Sequence, residues 1–138
     1  MSDEDLFGQE HVRAYIDTDG ERGYLWKRGT TILLLTTTGR KSGQPRIQPL
    51  IYAEDDGRYV IVASRGGTPE HPAWYLNLRD DPEVEVQIKG DRFKARAYDA
   101  EGDERERLWR RMNEVWPDYD EYQKKTDRQI PVVILERA

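Results

Sequence analysis

Arg40, Lys41 and Arg46 stand close together in the segment Gly39-Arg40-Lys41-Ser42-Gly43-Gln44-Pro45-Arg46. From Lys27 to Ala53 the chain carries no Asp or Glu, although acids outnumber bases 27 to 22 overall. Clearing every carboxylate from around these cations builds a local positive potential against a net charge of −5, and an anion site needs such a potential. Arginine suits bidentate contact with phosphate or carboxylate oxygens, and lysine acts as a point charge. Glycines and hydroxyls in the turn let backbone N–H groups converge on the same anion. The segment is not a Walker phosphate loop, because it lacks that glycine spacing and the helix that follows it. A solvated hairpin tip is the alternative reading, and it leaves the acid-free flanks unexplained. The chemistry indicated is a grip on a phosphate or carboxylate of a small molecule.

Three further groups stand out. Ser64-Arg65-Gly66-Gly67 follows an apolar run, and its glycines let backbone approach a flat ring or a phosphodiester closely; an ordinary two-glycine loop is the alternative. Trp74 and Asn77 are three apart on a short helix and share a face, where Trp74 also fits a plain core anchor. Trp116, Tyr119 and Tyr122 recur at spacing three. They form either one aromatic wall of a pocket or an aromatic stripe covering the domain. Tyr119 and Tyr122 follow Pro117, in a segment short enough to move as a lid. His11 and His71 are far apart in sequence and no carboxylate cluster has metal spacing, so no metal site is expected. No serine-nucleophile elbow is present.

The elements that must position these residues are short. Gln9 to Asp17 reads as a helix with Val12, Tyr15 and Ile16 on one side, a stripe expected to pack on the protein rather than enter a membrane. Strands are expected at 31–37, 46–53, 58–64, 84–88, 92–98 and 130–135, with Asp56-Gly57 as a tight turn and 47–62 as one hairpin. Pro72 to Leu78 reads as a short helix, Glu101 to Val115 as the clearest helix, and 118–126 as a turn or helix. Six short strands joined by hairpins predict a β-rich α+β fold, an antiparallel barrel or sandwich rather than a parallel sheet. The 138 residues fit a single domain, 1–138, with residues 1–8 flexible. The absence of cysteine excludes disulfides and thiol nucleophiles and fits a reducing cytoplasm. The acidic balance argues against nucleic acid as a partner, and no apolar run reaches the roughly 20 residues of a membrane span.

Leu33 to Gly43, Ala63-Ser64-Arg65-Gly66-Gly67, Pro72 to Leu78 and Asp127 to Val133 together resemble the deazaflavin-dependent nitroreductase family of actinobacteria, in that family's order. The resemblance implies a split β-barrel of Greek-key, FMN-binding type with peripheral helices. It implies coenzyme F-420, an 8-hydroxy-5-deazaflavin bearing a phosphodiester and a γ-glutamyl tail, and hydride transfer to quinones, nitro compounds or activated alkenes. With it, Arg40, Lys41, Ser42, Gly43, Arg46 and Arg65 are expected to hold the anionic parts of the cofactor. Gly66, Gly67, Trp74 and Asn77 shape the ring and arm site. Ser64 lies near the ring. Ser64, Trp116, Tyr119 and Tyr122 line the acceptor side, where Ser64, Tyr119 and Tyr122 orient the acceptor or relay a proton. Trp116 departs from the family's tyrosine, removing a hydroxyl and adding bulk. An FMN-binding oxidoreductase on the same barrel and a non-enzymatic deazaflavin carrier stand as alternatives. The expected partner is a small-molecule hydride acceptor. The expected state is a monomer or homodimer in the cytoplasm, with membrane contact only peripheral, at the inner face.

Overall fold

The computed structural model describes residues 5–138. Of the segment expected to be flexible, residues 1–4 lie outside the described residues, Leu6 is buried and Gly8 opens the first helix. The helices are α1 (Gly8–Thr18), α2 (Ala73–Asp80), α3 (Gly102–Val115) and α4 (Asp118–Lys124). The strands are β1 (Ile32–Thr38), β2 (Pro45–Ile51), β3 (Ala53–Asp55), β4 (Arg58–Val62), β5 (Glu83–Ile88), β6 (Asp91–Asp99) and β7 (Val132–Arg137). They form one sheet in the order β2-β1-β5-β6-β7-β4-β3, with every neighbouring pair antiparallel.

Only Tyr52 separates β2 from β3, yet these strands lie at opposite ends of the sheet order. A continuous piece of chain can serve both ends only if the sheet curls until its edges meet, which makes the split β-barrel. Tyr52 is the corner. Its N–H donates to the Thr31 carbonyl at 3.2 Å, its hydroxyl meets that of Tyr24 at 3.0 Å, and its ring packs edge-on against Tyr59. This corrects the expected hairpin over 47–62. β2 pairs instead with β1, from Ile32↔Ile51 to Thr38↔Pro45, and only β3 pairs with β4. Seven strands result where six were expected. The turn itself holds, since Asp56 and Gly57 both have positive φ (52° and 78°), as a type I′ turn demands. β2 is the end of the sheet order, and so tolerates Pro45 and Pro49, which cannot donate to a ladder.

Alternation along the strands divides the core. Leu33 and Leu35 of β1, Ile61 of β4, and Val133 and Leu135 of β7 fill the barrel with Val84, Val86 and Phe93. The intervening Val60, Val62, Val132 and Ile134 face outward, under Leu108 and Met112 of α3. Ile32 and Leu34 face Val12 and Tyr15 of α1. β1, β4 and β7 are therefore apolar along most of their length because both faces are covered, whereas β5 and β6 alternate with exposed charges. The α1 stripe packs on the barrel as expected. α3 opens with Asp103 and Glu104 in its first turn, favourable for the helix dipole.

Candidate active site

The β1–β2 turn is built by its own backbone. Gly39 N–H donates to Gln44 O and Gly43 N–H to Gly39 O, each at 2.8 Å. Gly43 takes φ +72°, and a Cβ on Gly39 would stand 2.8 Å from Ser42 Oγ. Ser42 Oγ accepts the Gln44 N–H at 3.1 Å. Asn77, buried on α2, reaches across: its Oδ1 accepts the Arg40 N–H at 3.2 Å and Arg40 Nη1 at 2.9 Å, while its Nδ2 donates to Thr37 Oγ1 at 3.2 Å. Asn77 thus fixes where Arg40 points. Among the described residues Arg40, Lys41 and Arg46 make no ion pair with any carboxylate. These three, with Ser42 and Asn77, line a cavity of about 220 Å³.

A larger cavity of about 450 Å³ adjoins it, within the ordinary range for small-molecule sites. β2 residues Gln48 to Ile51 and β4 residue Val62 line one part, and Ser64, Arg65 and Gly66 the end of β4. Trp26, Trp116, Tyr119 and Tyr122 make an aromatic wall. Gln48, Ala73 and Trp74 border both cavities, so the two join there. Trp74 does two jobs, as a buried member of the barrel core and as the wall at the junction. The arrangement matches a ligand with a flat apolar head and an anionic tail: the head fits the aromatic cavity and the tail reaches the unpaired cations.

The Ser64–Gly67 segment is a single tight turn in which Gly67 N–H donates to Ser64 O at 2.9 Å. Arg128, just ahead of β7, clips it. Its Nη2 donates to Ser64 O at 2.7 Å, Nε to Thr68 O at 2.9 Å, and Nη1 to Ala63 O and His71 Nδ1, both at 3.2 Å. Burial above all, then Arg128 and Arg79, holds the His71 imidazole below its ordinary value, with Asp99 opposing. Arg65 borders the cavity but already pairs with Glu70 at 3.0 Å, an exposed and therefore weak pair. The two glycines differ. Gly66 (φ +65°) borders the cavity, and a Cβ there would meet nothing. Gly67 does not border it, and its open side is filled by Tyr122, whose carbonyl would stand 2.5 Å from a Cβ. Gly67 lets α4 pack close.

α4 is tied to α3 and to the segment around Arg28. Trp109 Nε1 donates to Asp120 Oδ1 at 2.7 Å and Asp120 N–H to Asn113 Oδ1 at 2.9 Å. Arg28, in the left-handed region at φ +58°, lies 4.4 Å over the Trp116 ring and pairs with Asp118 at 3.3 Å. Trp26 stacks on Trp116 at 6.1 Å, and Trp116 Nε1 donates to the Tyr122 hydroxyl at 3.3 Å. Trp116 therefore uses its indole N–H where a tyrosine would have offered a hydroxyl. Tyr119 is only 4 % exposed, and its hydroxyl has no partner among the described residues. No buried side-chain polar atom among the described residues is left unsatisfied, so this hydroxyl opens on the cavity. Burial first, then Tyr122, pushes its phenol above the ordinary range, so it stays a proton donor at neutral pH.

The structure brings Ser64, Trp74, Trp116, Tyr119 and Tyr122 to one cavity and Arg40, Lys41, Ser42, Arg46 and Asn77 to the other. Gly43 lies outside both and shapes the turn. Sequence reasoning missed Gln48, His11, Trp26 and Arg128. Gln48 carried a faint signal, as an amide inside an apolar strand; Arg128 stood in the Asp127 to Val133 block without a role. No group of described residues could hold a metal ion.

The family model for F420H(2)-dependent quinone reductases matches residues 7–137. An F420H(2)-dependent quinone reductase of Mycobacterium tuberculosis is 42 % identical over 130 residues, spanning 92 % of this chain and 87 % of that protein. The solved F420-H2 dependent reductase FDR-A is 49 % identical, with a TM-score of 0.71 over 76 % of this chain and 93 % of that one. A solved domain-swapped dimer is 41 % identical, with a TM-score of 0.73 over 93 % of this chain and 96 % of that one. The family match over residues 7–137 and these relatives agree: the chain belongs to the F420H(2)-dependent quinone reductase family and is an oxidoreductase that uses reduced coenzyme F-420.

Proposed function

We propose that this chain is a single-domain reductase that holds reduced F-420 across the two joined cavities and passes its hydride to a quinone, and also to nitro compounds and activated alkenes. One observation carries the reading: unpaired Arg40, Lys41 and Arg46 at one end of a continuous site and the free Tyr119 hydroxyl at the other. When bound, the reduced deazaflavin supplies the hydride at C5. Arg40, Lys41 and Arg46 hold its phosphodiester and carboxylates, with Arg65 joining after release from Glu70. Ser42 and Gly43 shape that grip. Asn77 aims Arg40, Trp74 flanks the ring, and the Gly66 and Gly67 turn sets the backbone beside it. Ser64, Tyr119 and Tyr122 orient the acceptor oxygen, Tyr119 as the donor, against the Trp116 face.

Phe7, 79 % exposed, borders the larger cavity, and Leu25 is 63 % exposed. Such exposed apolar side chains would suit a protein at work in the cytoplasm that meets a quinone held in the inner face of a membrane. No helix of the described residues is long and apolar enough to cross one. The protein works as a monomer or homodimer. The test is steady-state oxidation of reduced F-420 with menadione, a nitroaromatic and a cyclic enone. Turnover with menadione is expected; no oxidation by any of the three would favour a deazaflavin carrier.

A further inference from the structure

His11 lies on α1, 2 % exposed, and borders the larger cavity. Its Nε2 stands 2.8 Å from the Gly23 carbonyl. A carbonyl only accepts, so Nε2 carries the proton and Nδ1 is left with its lone pair. Gly23 (φ +94°) is shaped to the ring, since a Cβ there would stand 2.9 Å from His11 Cδ2. On its other side the ring packs at 6.0 Å against Trp26, which stacks on Trp116. Nδ1 has no partner among the described residues, and no buried side-chain polar atom among them is unsatisfied. Nδ1 therefore opens on the cavity, on the same aromatic wall as Tyr119. The titratable groups that line the cavity with it are Arg65, Tyr119 and Tyr122.

We propose that His11 Nδ1 is a hydrogen-bond acceptor for the hydroxyl of the reduced acceptor, so that the site binds hydroquinone in preference to quinone. This rests on the quinone reductase reading above. A quinone carbonyl carries no proton and gains nothing from a lone pair. Hydride delivery plus one proton, passed by Tyr119 and replaced from solvent, turns the quinone into a hydroquinone, whose new O–H donates to Nδ1. A group that meets only the reduced form shifts the equilibrium on the protein toward it. One such bond predicts roughly tenfold tighter binding of menadiol than of menadione. Hydroquinone release then becomes the step that His11 slows.

The histidines of this chain are His11 and His71 alone, so long-range 1H–15N spectra resolve both. In the apo-protein under argon, His11 is expected as the Nε2–H tautomer, with Nδ1 moving on addition of menadiol and not of menadione. Quenching of tryptophan fluorescence gives the two affinities. His11→Gln keeps a donor for the Gly23 carbonyl and removes the ring lone pair. It should lose the menadiol preference, about tenfold, while menadione and F-420 affinities hold. An Nδ1–H tautomer, an Nδ1 signal indifferent to menadiol, or an unchanged preference in His11→Gln would each overturn the proposal, and the first two need no variant. F-420 binding is measured separately. Loss of F-420 binding in the wild type alongside a menadiol-responsive Nδ1 would defeat the functional reading and leave the His11 site standing.

Discussion

Arg128→Ala removes a guanidinium that donates to the carbonyls of Ala63, Ser64 and Thr68 and to His71 Nδ1. Each hydrogen bond from a charged donor is worth about 1.5–3 kcal/mol in isolation. The four share one group, and water can reach part of the loop once the side chain is gone, so the sum overstates the loss. A cost of about 3 kcal/mol follows. For a chain of this length that is a fall of about 10 °C in Tm. The same change frees the Ser64–Gly67 turn, which borders the cavity, so F-420 affinity should fall as well, by about tenfold, at temperatures where the variant is fully folded. Arg128→Lys restores a charge and one bond but not the fork, and should recover only a minority of both losses. Thermal denaturation followed by circular dichroism, with F-420 titration at 15 °C, reads both quantities. A Tm within about 2 °C of wild type for Arg128→Ala would refute the clip.

Four further outcomes follow from the same geometry. Arg40→Ala or Arg46→Ala should weaken F-420 about tenfold each, an effect that shrinks in high salt, with the fold intact by circular dichroism. Tyr119→Phe removes the free cavity hydroxyl and should lower kcat and kcat/KM for menadione together while F-420 affinity holds, whereas Tyr122→Phe, which also breaks the bond from Trp116, should act more weakly; wild-type kinetics in both would remove the tyrosines from the acceptor side. His71 is depressed by burial, so the unfolded state binds more protons just below pH 6.5; its share of the stability is full above that value and is lost as pH falls toward its folded pKa, and His71→Asn should flatten the Tm–pH curve in that window. Gly67→Ala combines φ +83° with a Cβ 2.5 Å from the Tyr122 carbonyl and should cost about 2–4 kcal/mol by chemical denaturation, whereas Gly66→Ala, with open space, should cost about 1 kcal/mol.

What could be read in the sequence was local. Ile32 to Leu35 announces a strand covered on both faces, Asp56-Gly57 a type I′ turn, and Glu101 to Val115 an amphipathic helix, because each pattern is complete within a few residues. The acid-free run around Arg40 was legible for the same reason, since a potential depends on which charges are nearby in the chain as well as in space. The break at Tyr52 was not. The apolar run from Leu50 to Ala53 leads straight into the Asp56-Gly57 turn with no break, and only the distant Thr31 carbonyl and the Tyr59 ring show that the chain changes edge at Tyr52. Arg128 meets Ala63 and Ser64 across more than sixty residues, and nothing beside it in the chain hints at them. Gly67 is also needed by Tyr122, whose backbone fills its open side, a constraint that only packing reveals. His11 looked isolated because its partners are a backbone carbonyl and an empty volume, neither of which has a sequence signature.

The most direct test of the central claim is titration of the purified apo-protein with F-420 and, separately, with FMN, followed by fluorescence at low salt and again at 0.5 M salt. Saturable F-420 binding that weakens with salt and with Arg40→Ala, alongside much weaker FMN binding, is the predicted result. Tight FMN binding with no response to F-420 would contradict it.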